Sequence, residues 1–225
     1  GTPAVTGGRV TFGGCDAMLH VVNLADGLYQ DSVEVGGFVV ATPALAGGLA
    51  FVGHYNSRII CYDVRAGEVL WRFRGRGEPF ISSAALAGDR VLIGSDDRFL
   101  YCLRLADGAL LWKFRTRGAV EGSPVVSGGK VIFGSGDGRV YLLAADDGRK
   151  LWEYDTGAAL VASPAVASGR VVVGNTDGRL LCFGPAEETP AAAATVELEP
   201  PPDPPLTTAP ATRPTTQPAP GKPQE

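Results

Sequence analysis

The chain has 225 residues, 45% hydrophobic and 8% aromatic, with 31 glycines, a composition for many short strands joined by tight turns rather than for helices. Lys and Arg number 20 against 24 Asp and Glu, a formal net charge of −4, so no global field draws in nucleic acid or an anionic lipid surface. No apolar run approaches the roughly 18 residues of a membrane span, and no charged-then-apolar leader opens the chain.

Along the chain, glycines that end an apolar run fall at Gly13, Gly53, Gly94, Gly134 and Gly174, spaced 40, 41, 40 and 40 residues apart. Two further columns keep the same register: Pro3, Pro43, Ala84, Pro124 and Pro164, then Gly27, Gly67, Gly108 and Gly148. Within a unit, a short small-residue strand (123–126) passes a Gly-Gly turn into an apolar strand (131–133). A turn at Asp137-Gly138 leads to an alternating strand (139–143), and a turn at Asp147-Gly148 to a last strand (150–154). The Asp-Gly pairs read as hairpin turns with positive φ at both central residues.

Four antiparallel strands in about 40 residues predict an all-β fold, a β-propeller of four-stranded blades. Solenoids need fewer strands in a shorter period, and helical repeats lack the Gly and β-branched enrichment. Four full repeats and a fifth that stops after its third strand, near Cys182-Phe183, occupy 1–184. Starting inside a repeat and without an initiator Met, the chain reads as a processed product or the C-terminal part of a seven- or eight-bladed ring, with a compact five-bladed closure as the lesser alternative. That reading leaves room upstream for an export signal, a lipid anchor or a span. From 185 to 225 the sequence is Pro/Ala/Thr-rich, holding 12 of the 17 prolines, which predicts a disordered tail serving as a spacer or as a Pro-rich docking motif.

Trp71, Trp112 and Trp152 each stand four residues after a hairpin glycine, where a flat ring can wedge against the next blade. Asp31 takes that place in the first repeat, so the interface there is expected to be weaker or differently made.

The segments Ala66-Gly67-Glu68-Val69-Leu70-Trp71, Asp107-Gly108-Ala109-Leu110-Leu111-Trp112 and Asp147-Gly148-Arg149-Lys150-Leu151-Trp152 resemble the repeat of the pyrroloquinoline-quinone-like propeller superfamily. Ser-Pro before inner strands and the Gly-Ser-Gly-Asp-Gly-Arg turn at 134–139 add to the likeness. It covers about residues 2–184 and is closer to the outer-membrane assembly-factor and scaffold branch than to quinoprotein dehydrogenases, which carry long loops, an adjacent Cys-Cys pair and a calcium site. The resemblance implies an extracytoplasmic, non-enzymatic scaffold or ligand-sensing propeller with a protein or peptide partner and no cofactor. A quinone-dependent dehydrogenase or its remnant, and the sensor domain of a larger receptor, are the alternatives.

Few residues invite chemistry. Cys61, Cys102 and Cys182 share a third-strand column and read as buried free thiols, too far apart for disulfides. Cys15 lies in an exposed turn without a metal-ligand partner. His20 and His54 come from different columns and read as ordinary hydrogen-bonded or solvated side chains. Asp16, Asn56, Asp97, Asp137 and Asp177 form a column that suits turn capping better than metal binding. The clearest departure from the repeat is Arg74 and Arg76, then Arg115 and Arg117, in two successive loops that leave an outer strand for the next inner strand. With Glu121, alone in a column of Val40, Ile81 and Val161, they read either as scattered solvated charges or as a docking patch for an acidic or extended segment.

Overall fold

The computed structural model describes residues 1–185, so the predicted tail lies outside the described residues from 186 onward. Nineteen strands form five antiparallel sheets, each a meander in chain order. The first holds β1 (Ala4–Thr6), β2 (Arg9–Gly13), β3 (Met18–Asn23) and β4 (Tyr29–Glu34), and the second β5 (Ala44–Ala46), β6 (Leu49–His54), β7 (Arg58–Asp63) and β8 (Glu68–Arg74). The third is β9 (Ala85–Ala87), β10 (Arg90–Ser95), β11 (Phe99–Arg104) and β12 (Leu110–Arg115). The fourth is β13 (Val125–Ser127), β14 (Lys130–Gly134), β15 (Arg139–Ala144) and β16 (Lys150–Asp155). The fifth has three strands, β17 (Ala165–Ala167), β18 (Arg170–Gly174) and β19 (Leu180–Phe183). This is the blade architecture of a β-propeller. Among the described residues no helix is long and apolar enough to cross a membrane.

Burial follows from sheets stacked face to face. The middle strands of the central blades, such as β6, β7, β10 and β11, are buried along nearly their whole length, whereas the outer strand β8 alternates exposed residues with half-buried ones and the buried Trp71. Four apolar cores fill the four gaps between successive sheets, and none joins the fifth sheet to the first among the described residues.

Two contacts set the stacking. Near the inner strands, serine hydroxyls cross from sheet to sheet: Thr42 N–H donates to Ser83, Ser83 N–H to Ser123, and Ser123 N–H to Ser163, each at 2.9 Å. Near the rim, the tryptophans reach the next blade. Trp71 Nε1 donates to the Leu105 carbonyl at 2.9 Å, and Trp112 Nε1 to the Ala145 carbonyl at 3.3 Å. A β-bulge skips Leu70 and Leu111 in the pairing, so that Trp71 and Trp112 sit opposite Cys61 and Cys102.

The ring of each tryptophan lies on the hairpin glycine of the following blade, where a Cβ at Gly108 or Gly148 would come within 2.6 Å of it. These turns differ from the expected form. Only the glycine is left-handed (φ 71° at Gly108), while Asp107 accepts the Ala109 N–H at 3.0 Å and Gly108 N–H bonds the Arg104 carbonyl at 2.9 Å. A longer turn of this kind needs one left-handed residue, not two.

The first interface is indeed made differently: Asp31 Oδ2 accepts the Tyr62 hydroxyl at 2.8 Å and occupies the space over Gly67. At the other end Trp152 is 38% exposed, with Tyr154 and Phe183 packed against its ring.

The tryptophan–glycine contact is testable by contrast. Gly148→Ala adds a clash with Trp112 to the left-handed strain and should cost about 2–4 kcal/mol. Gly128→Ala, at φ 54° with nothing within 4 Å, should cost only about 1 kcal/mol. Equal losses in urea unfolding would refute the packing role.

Candidate functional site

The loops from each outer strand to the next inner strand lie on the same face as the turns between second and third strands. Backbone bonds stitch them together: Asp96 N–H to the Pro79 carbonyl at 3.1 Å, and Gly136 N–H to the Ala119 carbonyl at 2.8 Å. Each loop is also plugged into the core by one apolar side chain, Val39, Phe80, Val120 or Leu160, all nearly or wholly buried. Val120 sits so close to Gly94 that a Cβ there would lie 2.3 Å from its carbonyl oxygen. Such an approach, by Val39, Phe80, Val120 and Leu160, explains the strand-ending glycines at 13, 53, 94 and 134, and it holds the loops against the blades.

The structure distributes the predicted charged residues unevenly. Arg74, Arg76, Arg115 and Arg117 are all exposed. Arg115 and Arg117 line a groove of about 400 Å³ between the third and fourth blades, together with Arg98 and Arg139. Arg76 instead lies over the Phe99 ring at 5.4 Å, which Lys113 approaches at 5.0 Å. Arg74 ends β8 opposite Arg58. Glu121 is outside that groove and interacts with Asp96, whose carboxyl is held above its usual range by burial first and then by the charges of Glu121, Glu78 and Asp97.

The Asp column is not a ring of free carboxylates. Asp137 Oδ1 accepts the Arg139 N–H at 3.1 Å, while Oδ2 accepts the Arg117 N–H at 2.9 Å and the Tyr141 hydroxyl at 2.8 Å. Asp137 thus caps its turn and also clamps the arginine-bearing loop. Asp97 likewise accepts the Phe99 N–H at 3.2 Å and the Tyr101 hydroxyl. Burial and these carboxylates push both phenols up, so they stay protonated donors. Asp16 takes the Met18 N–H at 3.1 Å and His20 Nε2 at 2.7 Å. Asn56 donates to the Gly36 carbonyl, whereas Asp177 donates its own N–H to Asn175 Oδ1 at 3.2 Å. Among the described residues no group of three or more His, Cys, Asp or Glu is placed to hold a metal ion.

One expectation needs correction. Cys182 is exposed, unlike Cys61 and Cys102, because β19 is the last strand of its sheet and among the described residues no outer strand lies opposite it as those of Trp71 and Trp112 do for the other two. His54 takes the hydrogen-bonded alternative and is wholly buried. Its Nδ1 accepts the Asn56 N–H at 3.1 Å and its Nε2 has no partner among the described residues. Burial, then the charges of Arg58 and Arg72, depress its pKa to about 4. The sequence columns signalled neither Arg98 nor the clamp by Asp137.

Comparison with known proteins agrees with this geometry. Residues 1–83 and 56–187 match the family model described as outer membrane protein assembly factor BamB. BamB from Moraxella catarrhalis superposes with a TM-score of 0.72 at 18% identity, covering 81% of this chain and 56% of that one. The computationally designed Ika8 protein does so at 0.73 and 19% identity, covering 81% and 57%. At such identities the likeness is one of fold, and this chain spans little more than half the length of either structure. No curated protein sequence matches it.

Thiol labelling tests the cysteine assignments. Cys15 and Cys182 should react in the folded chain, while Cys61 and Cys102, whose thiols burial pushes up to about 12, should react only after unfolding. Four fast thiols would contradict the burial.

His54 carries a pH prediction. Neutral in the folded state and protonated near pH 6.5 when unfolded, it should weaken the fold as pH falls from about 6.5 toward 4, by up to about 3 kcal/mol. His54→Ser, which places there the residue type found at Ser95 and Ser135, should flatten the urea-midpoint profile between pH 6.5 and 4.5. An unchanged profile would show that His54 is not responsible.

Proposed function

The chain belongs to the family of the outer membrane protein assembly factor BamB, and on that footing we propose that it is a non-enzymatic interaction scaffold whose partner docks on the loop face. The observation that carries this reading is the pair of adjacent loops bearing Arg74, Arg76, Arg115 and Arg117, four exposed guanidinium groups on a chain of net charge −4. None of the four has an ion-pair partner among the described residues.

Exposed, unpaired arginines on backbone held by turn caps and buried plugs suit recognition of carboxylates, which accept a guanidinium bidentately. They contribute little to the fold, because exposed charges of this kind are worth at most a few tenths of a kcal/mol. The family description supports a partner among proteins handled in outer-membrane assembly, and an extracytoplasmic location goes with it.

The reading is tested by replacing Arg74, Arg76, Arg115 and Arg117 with Ser. A protein partner recovered from cell-envelope extract with the wild-type chain should be lost, while Tm shifts by no more than about 2 °C. Undiminished recovery would overturn the docking face. Stoichiometric uptake of pyrroloquinoline quinone with calcium, accompanied by dye reduction with alcohols, would overturn the non-enzymatic assignment.

A further inference from the structure

The four arginines are not equivalent. In the groove between the third and fourth blades, one wall consists of Arg98, Arg115 and Arg117, and their side chains have no hydrogen-bond or ion-pair partner among the described residues. The facing wall is already neutralised. Arg139 bridges Glu153 at 3.0 Å and Asp155 at 3.2 Å, and Lys150 meets Glu153 at 2.8 Å. Phe114 and Tyr141, packed edge to face with centroids 5.4 Å apart, supply an apolar floor.

Arg98 stands out. Its φ is 71°, in the left-handed region, at a position that the fourth and fifth blades fill with Gly138 and Gly178. Ala17 and Ser57 share the strain in the first two blades, and Ser57 uses its hydroxyl to accept the Gly77 N–H at 2.9 Å. A bulky L-residue is disfavoured here where glycine is not, yet Arg98 places a third guanidinium beside the other two.

The backbone carrying the three is also fixed before any ligand arrives. Thr116 N–H bonds the Arg98 carbonyl at 2.9 Å, the Thr116 hydroxyl reaches the Gly118 carbonyl at 2.7 Å, and Asp137 holds the Arg117 N–H. The fourth and fifth blades repeat the threonine bonds, with Thr156 N–H on the Gly138 carbonyl at 2.8 Å and its hydroxyl on the Ala158 carbonyl at 2.9 Å, but neither neighbouring interface brings three arginines together. Between the second and third blades Phe99 stands where Arg139 does and engages Arg76, and between the fourth and fifth the loop carries Asp155, Thr156 and Gly157.

Resting on the scaffold reading, we propose that this groove receives an extended segment of a partner protein, whose spaced carboxylates pair with Arg98, Arg115 and Arg117. A uniform polyanion such as polyphosphate or a lipid surface fits less well. The facing wall offers it no further free cation, since Arg139 and Lys150 are paired with Glu153 and Asp155, and Asp96, Glu78 and Glu121 form an acidic group elsewhere on the chain. A peptide strand presents alternate residues to opposite sides, so its acidic residues face the arginine wall while neutral ones meet the other.

The test is fluorescence anisotropy at low ionic strength with the full chain and a labelled decapeptide of alternating Glu and Ser. The wild-type chain should bind it, a Lys-Ser decapeptide should not bind, and Arg98→Gly/Arg115→Ser/Arg117→Ser should weaken binding at least about tenfold through loss of charge-assisted bonds. Arg74→Ser/Arg76→Ser should change it less than about threefold, since those side chains lie outside the groove. Arg98→Gly alone should weaken binding while raising Tm by about 2 °C, since it removes left-handed strain.

Equal binding by the triple variant, or a Tm that falls with Arg98→Gly, would overturn the proposal. So would inorganic polyphosphate or vesicles of anionic phospholipid binding as tightly as the peptide. The two readings fail separately. If the envelope partner is lost from the Arg74/Arg76/Arg115/Arg117 variant but kept by Arg98→Gly/Arg115→Ser/Arg117→Ser, the groove is wrong and the scaffold stands. If the four-arginine variant keeps its partner, the docking face itself falls.

Discussion

The fold depends on a contact between an indole and the hairpin glycine of the next repeat. Trp71 and Trp112 lie flat on Gly108 and Gly148, with 2.6 Å between the ring and where a Cβ would be, and each ties its Nε1 to a carbonyl in the same turn. The glycine is therefore constrained twice, by its left-handed turn and by the ring above it. The bulge that skips Leu70 and Leu111 aims the tryptophan. Together these fix the spacing of successive blades at the rim, as the serine hydroxyls do at the inner strands.

With the blades held in this way, the loops between them have little freedom. Each is plugged by a buried apolar residue and stitched to the next blade's turn, so the arginines project from a platform rather than from a flexible tether. Binding to such a surface orders side chains but not backbone, which lowers its entropic cost. Asp137 shows how closely building and recognition are joined: one carboxylate caps its own turn, accepts the Tyr141 hydroxyl and holds the Arg117 N–H.

Much of this was legible in the sequence because period is legible. The strand count, the four full blades and a partial fifth, and the turn-capping role of Asp97 and Asp137 all follow from columns of like residues. What escaped depends on neighbours that a column does not reveal. Cys182 shares its column with Cys61 and Cys102, yet only those two have a tryptophan strand opposite them. His54 opens a turn at a position that is wholly buried in the next two blades as well, at Ser95 and Ser135, and its imidazole stands beside Gly37. Glu121 and the arginines share a stretch of loop, but the inner end approaches Asp96 while the outer end enters the groove.

Departures from the repeat are therefore informative only when they converge. Asp31 breaks the tryptophan column and is absorbed by a hydrogen bond from Tyr62. His54 stands in a column otherwise of Gly14, Ser95, Ser135 and Asn175, and leaves a buried nitrogen without a partner among the described residues. Arg98 breaks a position suited to glycine, but unlike the other two it does so beside two further departures, Arg115 and Arg117, brought to one groove by the stacking of the third and fourth blades. Isolated departures can be accommodated by local packing. Three guanidinium groups without an ion-pair partner among the described residues share one cleft whose lining holds a single carboxylate, Glu153, so the carboxylates of a partner segment find charge-assisted partners there and the groove is where this face has most to gain from binding.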